Sequence, residues 1–289
     1  MVPGLNVARI DSNKWAVSAR GFNNRFANKL LVLQDGREVY NPTFGGVYWE
    51  LQDLPLHDID RIEVIRGPGA ALWGANAVNG VINIITKPAG ETLGGRLNTG
   101  VGSYEQNFAS LRYGRKLTEN TAARVWAKGF NRGAYDNIAR RSSADDWSQA
   151  RAGFRVDHDG ADGTAATLVG DAHSTLVHQT LDLPMLTPPY AINPRVRTSY
   201  SGFNLLGRWR KALSVTSEIS VQAYYDHFFR RSGATIHPRG TGYRTTSRNA
   251  TVSIWNCCTG SCWPTTTSSP GAWATASCWI ATPAAPTCN

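Results

Sequence analysis

The chain has 289 residues, 42% of them apolar and 18% charged, with a formal net charge of +9. That composition excludes a disordered chain, and the absence of any run of about 18 apolar residues excludes a transmembrane helix. The arginines are scattered rather than clustered in a recognisable motif, which speaks for a basic solvated surface and against nucleic acid as a partner. No basic start precedes an apolar stretch, so no signal peptide is expected in this chain.

The first 88 residues read as short strands with Gly- and Asn-rich connections. Lys29 to Tyr40 (KLLVLQDGREVY) holds two strand-like runs around Asp35-Gly36, a strong hairpin signal. Asp60 to Arg66 alternates and stops at the turn signal Gly67-Pro68. Gly80 to Lys87 (GVINIITK) is rich in β-branched residues and reads as a buried strand. Between these two runs, Gly69 and Gly74 have the glycine spacing of a phosphate-binding loop. Ala75-Asn76 stand where Lys and Ser/Thr are needed, and Leu72 stands where a dinucleotide fingerprint needs its third glycine. The glycines therefore serve packing rather than phosphate.

The strings SARGFNNRFANKLLVLQDGREVY and DIDRIEVIRGPGAALWGANAVNGVINIITK, in that order, resemble the plug domain of TonB-dependent outer-membrane receptors. The resemblance covers most of residues 1–88. It implies an α+β plug with a small mixed sheet, seated in an antiparallel transmembrane β-barrel. It also implies energy-coupled uptake of a ferric siderophore or similar chelate in the bacterial outer membrane. The implied partners are that chelate, TonB and outer-membrane lipid; the family's TonB-contacting segment is missing from this chain. Neither an enzymatic activity nor a cofactor is implied.

Residues 89–248 test the resemblance independently, because barrel strands alternate apolar-out and polar-in. Ala123, Val125, Ala127 and Gly129 alternate with Arg124, Trp126 and Lys128. Ala150, Ala152, Phe154 and Val156 alternate with Arg151, Gly153, Arg155 and Asp157. Phe203 to Arg210 follows the same rule with Leu206 as its exception, and Glu218 to Asp226 follows it throughout. Segments 93–103, 107–117 and 164–172 fit less cleanly. Short connections (117–120, 159–163, 212–214) alternate with long ones (132–146, 174–198, 230–246), as periplasmic turns alternate with external loops. Seven or eight strands fit, so an incomplete barrel is expected.

No Asp, Glu, Lys or Arg follows Arg248, and every cysteine lies between Cys257 and Cys288. The cysteines match no zinc spacing. We read 249–289 as an aberrant tail, out of frame and disordered, which makes the chain part of a receptor gene product.

Glycine's freedom and arginine's forked donors make Arg20, Gly21, Arg66, Gly67, Pro68, Gly74, Asn79 and Gly80 structural elements of the plug. Trp73, Asn76 and Asn79 are expected to pack and cap the following turn. Substrate contact is expected from Asn23, Asn24, Phe44, Tyr48 and Trp49, on loops carrying amides and aromatics beside rigid strands. The dispersed histidines suggest no metal site, and no catalytic set stands out. A passive outer-membrane channel and a soluble β-rich binding module are the competing readings.

Overall fold

The computed structural model describes residues 2–21, 23–25, 27, 29–41, 45–69, 73, 76–135, 143–181, 183–184, 186, 188, 190–214, 217–236, 241–257 and 272–275, with backbone alone at 183 and from 233 onward. The N-terminal part holds two small sheets. β1 (Leu5–Asp11) and β2 (Lys14–Ala19) form an antiparallel hairpin. β3 (Leu30–Gln34), β4 (Arg37–Glu38), β5 (Ile59–Arg66) and β6 (Gly80–Thr86) form a mixed sheet in the order β4-β3-β6-β5, with β3 and β6 parallel. Asp35 and Gly36 both have positive φ (51° and 87°), as a tight primed hairpin turn requires. The core between the two sheets is Val17, Ala19, Leu30, Val32, Val39, Val47 and Ile82. Single-turn 3-10 helices at Trp49–Leu51 and Leu56–Asp58 complete this domain, and a third at Ala89–Glu91 leads out of it.

A single large sheet follows. β7 (Gly94–Gly100), β8 (Glu105–Thr118), β9 (Thr121–Arg132), β10 (Trp147–Asp159) and β11 (Thr164–Thr180) pair antiparallel in sequence order. A two-residue hairpin, β12 (Leu183–Pro184) with β13 (Ala191–Ile192), caps the next connection. β14 (Arg195–Ser214), β15 (Ser217–Ile236) and β16 (Thr241–Cys257) continue the meander. β17 (Ala272–Thr275) adds to β16 in parallel, the one parallel pairing described in this nine-stranded sheet. The sheet is open, with β7 and β17 at its edges.

Alternation fixes its two faces. Arg124 (2% exposed), Trp126, Phe130, Trp147, Gln149, Arg151 and Arg155 point inward and are buried. Leu97, Leu111, Val125, Leu168, Phe203, Leu205 and Trp209 point outward and are exposed. Leu206, the exception in the pattern, lies on the inward face at 1% exposure, where it is buried with the rest of that face. The outward apolar run on β14 from Phe203 to Trp209 is about 15 Å tall at a strand tilt of about 40°, and Lys211, paired with Asp162, ends it toward the short turn.

Two expected long connections are shorter than read from sequence. β11 runs to Thr180 and β14 starts at Arg195, while β15 reaches Ile236 and β16 starts at Thr241. Beyond the apolar band both faces of a strand meet polar surroundings, so the alternation that reveals a strand disappears while its hydrogen-bonded ladder continues. The ladder between β15 and β16 also runs to Cys257, past residue 248. The rest of the expected 249–289 tail, apart from 272–275, lies outside the described residues.

Candidate functional site at the plug–sheet interface

The inward face of the sheet meets the plug through charged side chains. Asp58, in the second 3-10 turn, is 2% exposed. Arg112 Nη1 of β8 donates to its Oδ1 at 2.8 Å, and Arg124 Nε of β9 lies 3.6 Å from its Oδ2. Arg124 also donates to the Lys87 carbonyl at 3.1 Å and to Thr92 Oγ1 at 3.2 Å, so one guanidinium grips the segment linking plug to sheet.

Asp35 forms a second hub at the hairpin turn. Its carboxylate accepts from the Thr86 amide and hydroxyl, each at 2.8 Å, and Arg155 Nη1 lies 3.6 Å away. Arg208 of β14 donates to the Asp35 carbonyl, and Gln222 of β15 donates to the Gly36 carbonyl at 3.0 Å. Further along the same face, Arg37 of the plug pairs with Asp226 at 2.7 Å and Lys128 pairs with Asp53 at 2.6 Å. Arg151 donates to the Leu51 carbonyl and pairs with Asp171 at 2.7 Å. A cavity of about 80 Å³ lies here, lined by Arg37, Tyr48, Arg151, His173 and Asp226 among others. Ligand sites are typically several hundred Å³, so a chelate does not fit.

At the end of the sheet that carries the longer connections, the contacts become aromatic. Tyr48 packs on Tyr200 and Phe228, with ring centroids 5.4 and 5.5 Å apart, within a cluster that includes Leu51, Phe130, Trp147 and Val177. The tip of the β1–β2 hairpin is tied into the connection after β9. The Ser12 amide donates to Asp145 Oδ2 at 2.7 Å and Asn13 Nδ2 donates to the Asp145 carbonyl at 2.7 Å; both tip residues are 0% exposed. Only the turn-forming composition of Asp11-Ser12-Asn13-Lys14 signalled this, and not its partner.

The residues expected to touch substrate are divided by the structure. Asn23 and Asn24 are exposed, with Asn23 Oδ1 accepting from Ser18 Oγ at 3.0 Å. Tyr48 is 6% exposed and Trp49 half-buried against the plug core, both engaged in packing. Phe44 lies outside the described residues, as does Gly74. Among the architectural residues, Arg20 and Gly21 both have positive φ. Gly67 has φ 107°, with the Arg20 guanidinium 3.4 Å from where its Cβ would stand. Pro68 follows directly. Arg66 Nη1 donates to the Pro3 carbonyl at 3.3 Å. Asn79 accepts from the Gly67 amide and donates to the Lys29 carbonyl. Trp73 packs beside Leu31, Leu33, Ala77 and Val81. Asn76 donates to Glu38 at 2.7 Å, across to the hairpin rather than into its own turn.

Burial raises the carboxyls of Glu38 and Glu50 above their usual range; Asn76 and Arg25 respectively oppose the shift. Glu50 is 3% exposed with Arg25 Nη2 at 3.0 Å.

Residues 1–81 match the family described as the TonB-dependent Receptor Plug Domain. Residues 1–81 are thus a TonB-dependent receptor plug domain, and the sheet that follows has the fold of part of a receptor barrel. Among curated proteins it is similar to the vitamin B12 transporter BtuB of Vibrio vulnificus, with 38% identity over 38% of this chain and 18% of the relative. It is also similar to the ferric enterobactin receptor of Pseudomonas aeruginosa, with 32% identity over 50% of this chain and 20% of the relative. The chain thus spans about a fifth of the length of these relatives (18% and 20%). Among solved structures, the siderophore receptor PirA of Acinetobacter baumannii superposes with a TM-score of 0.62 at 18% identity, covering 87% of this chain and 40% of that one. The FrpB iron transporter of Neisseria meningitidis does so at 0.61 and 16%, covering 86% and 41%. At these identities the structures speak to fold.

Proposed function

We propose that the receptor of which this chain forms part serves energy-coupled uptake of a scarce chelate, a ferric siderophore or a cobalamin-like compound, across a bacterial outer membrane; with its barrel incomplete, the chain is not competent alone. The observation that supports it most is the plug seated against the charged inward face of a lipid-facing sheet. The names of the relatives, a B12 transporter and a ferric enterobactin receptor, support the chelate class. No bond chemistry is involved. Asn23 and Asn24 are the exposed members of the expected contact set among the described residues, and TonB is the partner that supplies work.

The geometry constrains how such work is used. Moving the plug separates Asp58 from Arg112 and Arg124, and Asp35 from Arg155. Breaking a buried ion pair costs about 3–5 kcal/mol when one charge is left alone. Ligand binding alone shifts the plug only by its differential affinity for the two plug positions. An external energy source is consistent with such a network.

Deleting the coding region in its host and measuring uptake of labelled ferric catecholate, ferric hydroxamate and cyanocobalamin tests the reading. Loss of uptake of one compound is expected. Unchanged uptake of all three, with no quenching of the purified chain's tryptophan fluorescence by any of them, contradicts it.

A further inference from the structure

The outward face of β14 and β15 changes character along its length. From the short-turn end it runs through Trp209, Leu205 and Tyr225 to Phe203 and His227. Phe203 contacts the rings of Tyr225 and His227 at 5.5 and 5.4 Å. Next come Ser201 and Phe229, paired in register, and then Ser199 opposite Arg231. Arg197 follows, opposite Gly233. Arg231 lies over the Phe229 ring, 5.6 Å from its centroid. Both arginines are exposed.

Register makes Arg197 and Arg231 diagonal neighbours, about 7 Å apart at Cβ. That spacing lets two guanidinium forks converge on one phosphate. They stand about 10 and 5 Å above Phe229 along the sheet normal to the band, at headgroup depth. On β16, Arg248 stands in register with Phe229 and Arg244 with Gly233. Asp146 is engaged by Arg195 at 2.6 Å and by His178 at 2.8 Å. Among the described residues no carboxylate pairs with Arg197 or Arg231. The Glu105–Arg132 pair, at 2.6 Å, lies on β8 and β9, toward the β7 edge of the sheet.

We propose that Arg197 and Arg231 form a site for the phosphate of an anionic lipid headgroup in the outer leaflet. Aromatic side chains hold the acyl boundary below it, and the two guanidinium groups bind the phosphate above. A soluble-facing basic patch would lack the aromatic belt beneath. This site is separate from chelate uptake, since it lies on the opposite face of the sheet from the plug.

The test uses the full chain in mixed detergent micelles, with diphosphorylated lipid A and its dephosphorylated form as probes. Wild type should retain the diphosphorylated lipid roughly tenfold better than R197Q/R231Q, with most of the phosphate preference gone in the variant. Millimolar inorganic phosphate should not displace the lipid. Equal retention by the variant, equal retention of the dephosphorylated lipid, or displacement by inorganic phosphate each overturns the proposal. If the double variant lacks the far-ultraviolet strand signal, R197Q and R231Q singly should each lose part of the preference, and no loss in either overturns it equally.

Discussion

Gly80 is fixed by one distance: a Cβ there would stand 2.6 Å from the Ile65 carbonyl oxygen of the neighbouring strand. Backbone cannot yield as a flexible side chain can, so G80A should destabilise the plug by about 1–3 kcal/mol. Urea unfolding in detergent, followed by tryptophan fluorescence, reads this out. Glu50 carries a pH signature. Burial raises its carboxyl, so the folded state holds its proton to higher pH than the unfolded state. Its contribution is complete below the unfolded value near 4.5 and is lost as pH rises through the raised value. E50Q should therefore remove this decline in stability with rising pH, seen as a smaller drop in melting temperature between pH 5 and pH 8 than in wild type. The need for glycine at 80 was legible in the G-V-I-N-I-I-T-K run, but the atom it avoids was not, because Ile65 pairs with the strand only after folding. The Asn76–Glu38 bond was hidden for the same reason: its partners lie 38 residues apart.

β6 and the Asp35-Gly36 hairpin follow from β-branched content and turn chemistry, and β5 from its alternation although none of its residues is buried. The β1–β2 hairpin was not read, although β2 is largely buried. β9, β10, β14 and β15 show their inward and outward residues in the expected phase, because the inward face packs against the plug while the outward face is exposed and apolar. The strand ends beyond the apolar band were invisible, since polar residues there satisfy both faces. The plug contacts were also unreadable: Asp58 meets Arg112 across 54 residues, a pairing that only the closed arrangement of plug and sheet creates. That pairing carries a prediction at the element scale. D58A leaves Arg124 buried without its carboxylate and should cost about 3–5 kcal/mol. Limited proteolysis should then cut the plug-to-sheet link near Lys87 faster than in wild type, while R61A, an exposed change, leaves the rate unaltered.

At the scale of the whole molecule, the fold is a plug held against the inward face of an open, mostly antiparallel sheet whose outward face is apolar. Sequence gave the class of architecture through two independent signals, the plug strings and the strand alternation, and the solved receptors share it at TM-scores of 0.62 and 0.61. Everything proposed here depends on the two faces having the stated assignment. Single cysteines placed along Phe203 to Trp209, in a chain whose five native cysteines are serines, can each carry a nitroxide label in lipid vesicles. Positions 203, 205, 207 and 209 should be relaxed by lipid-soluble oxygen, and 204, 206 and 208 should be shielded. A trace without that alternation, or with its phase reversed, would contradict the account.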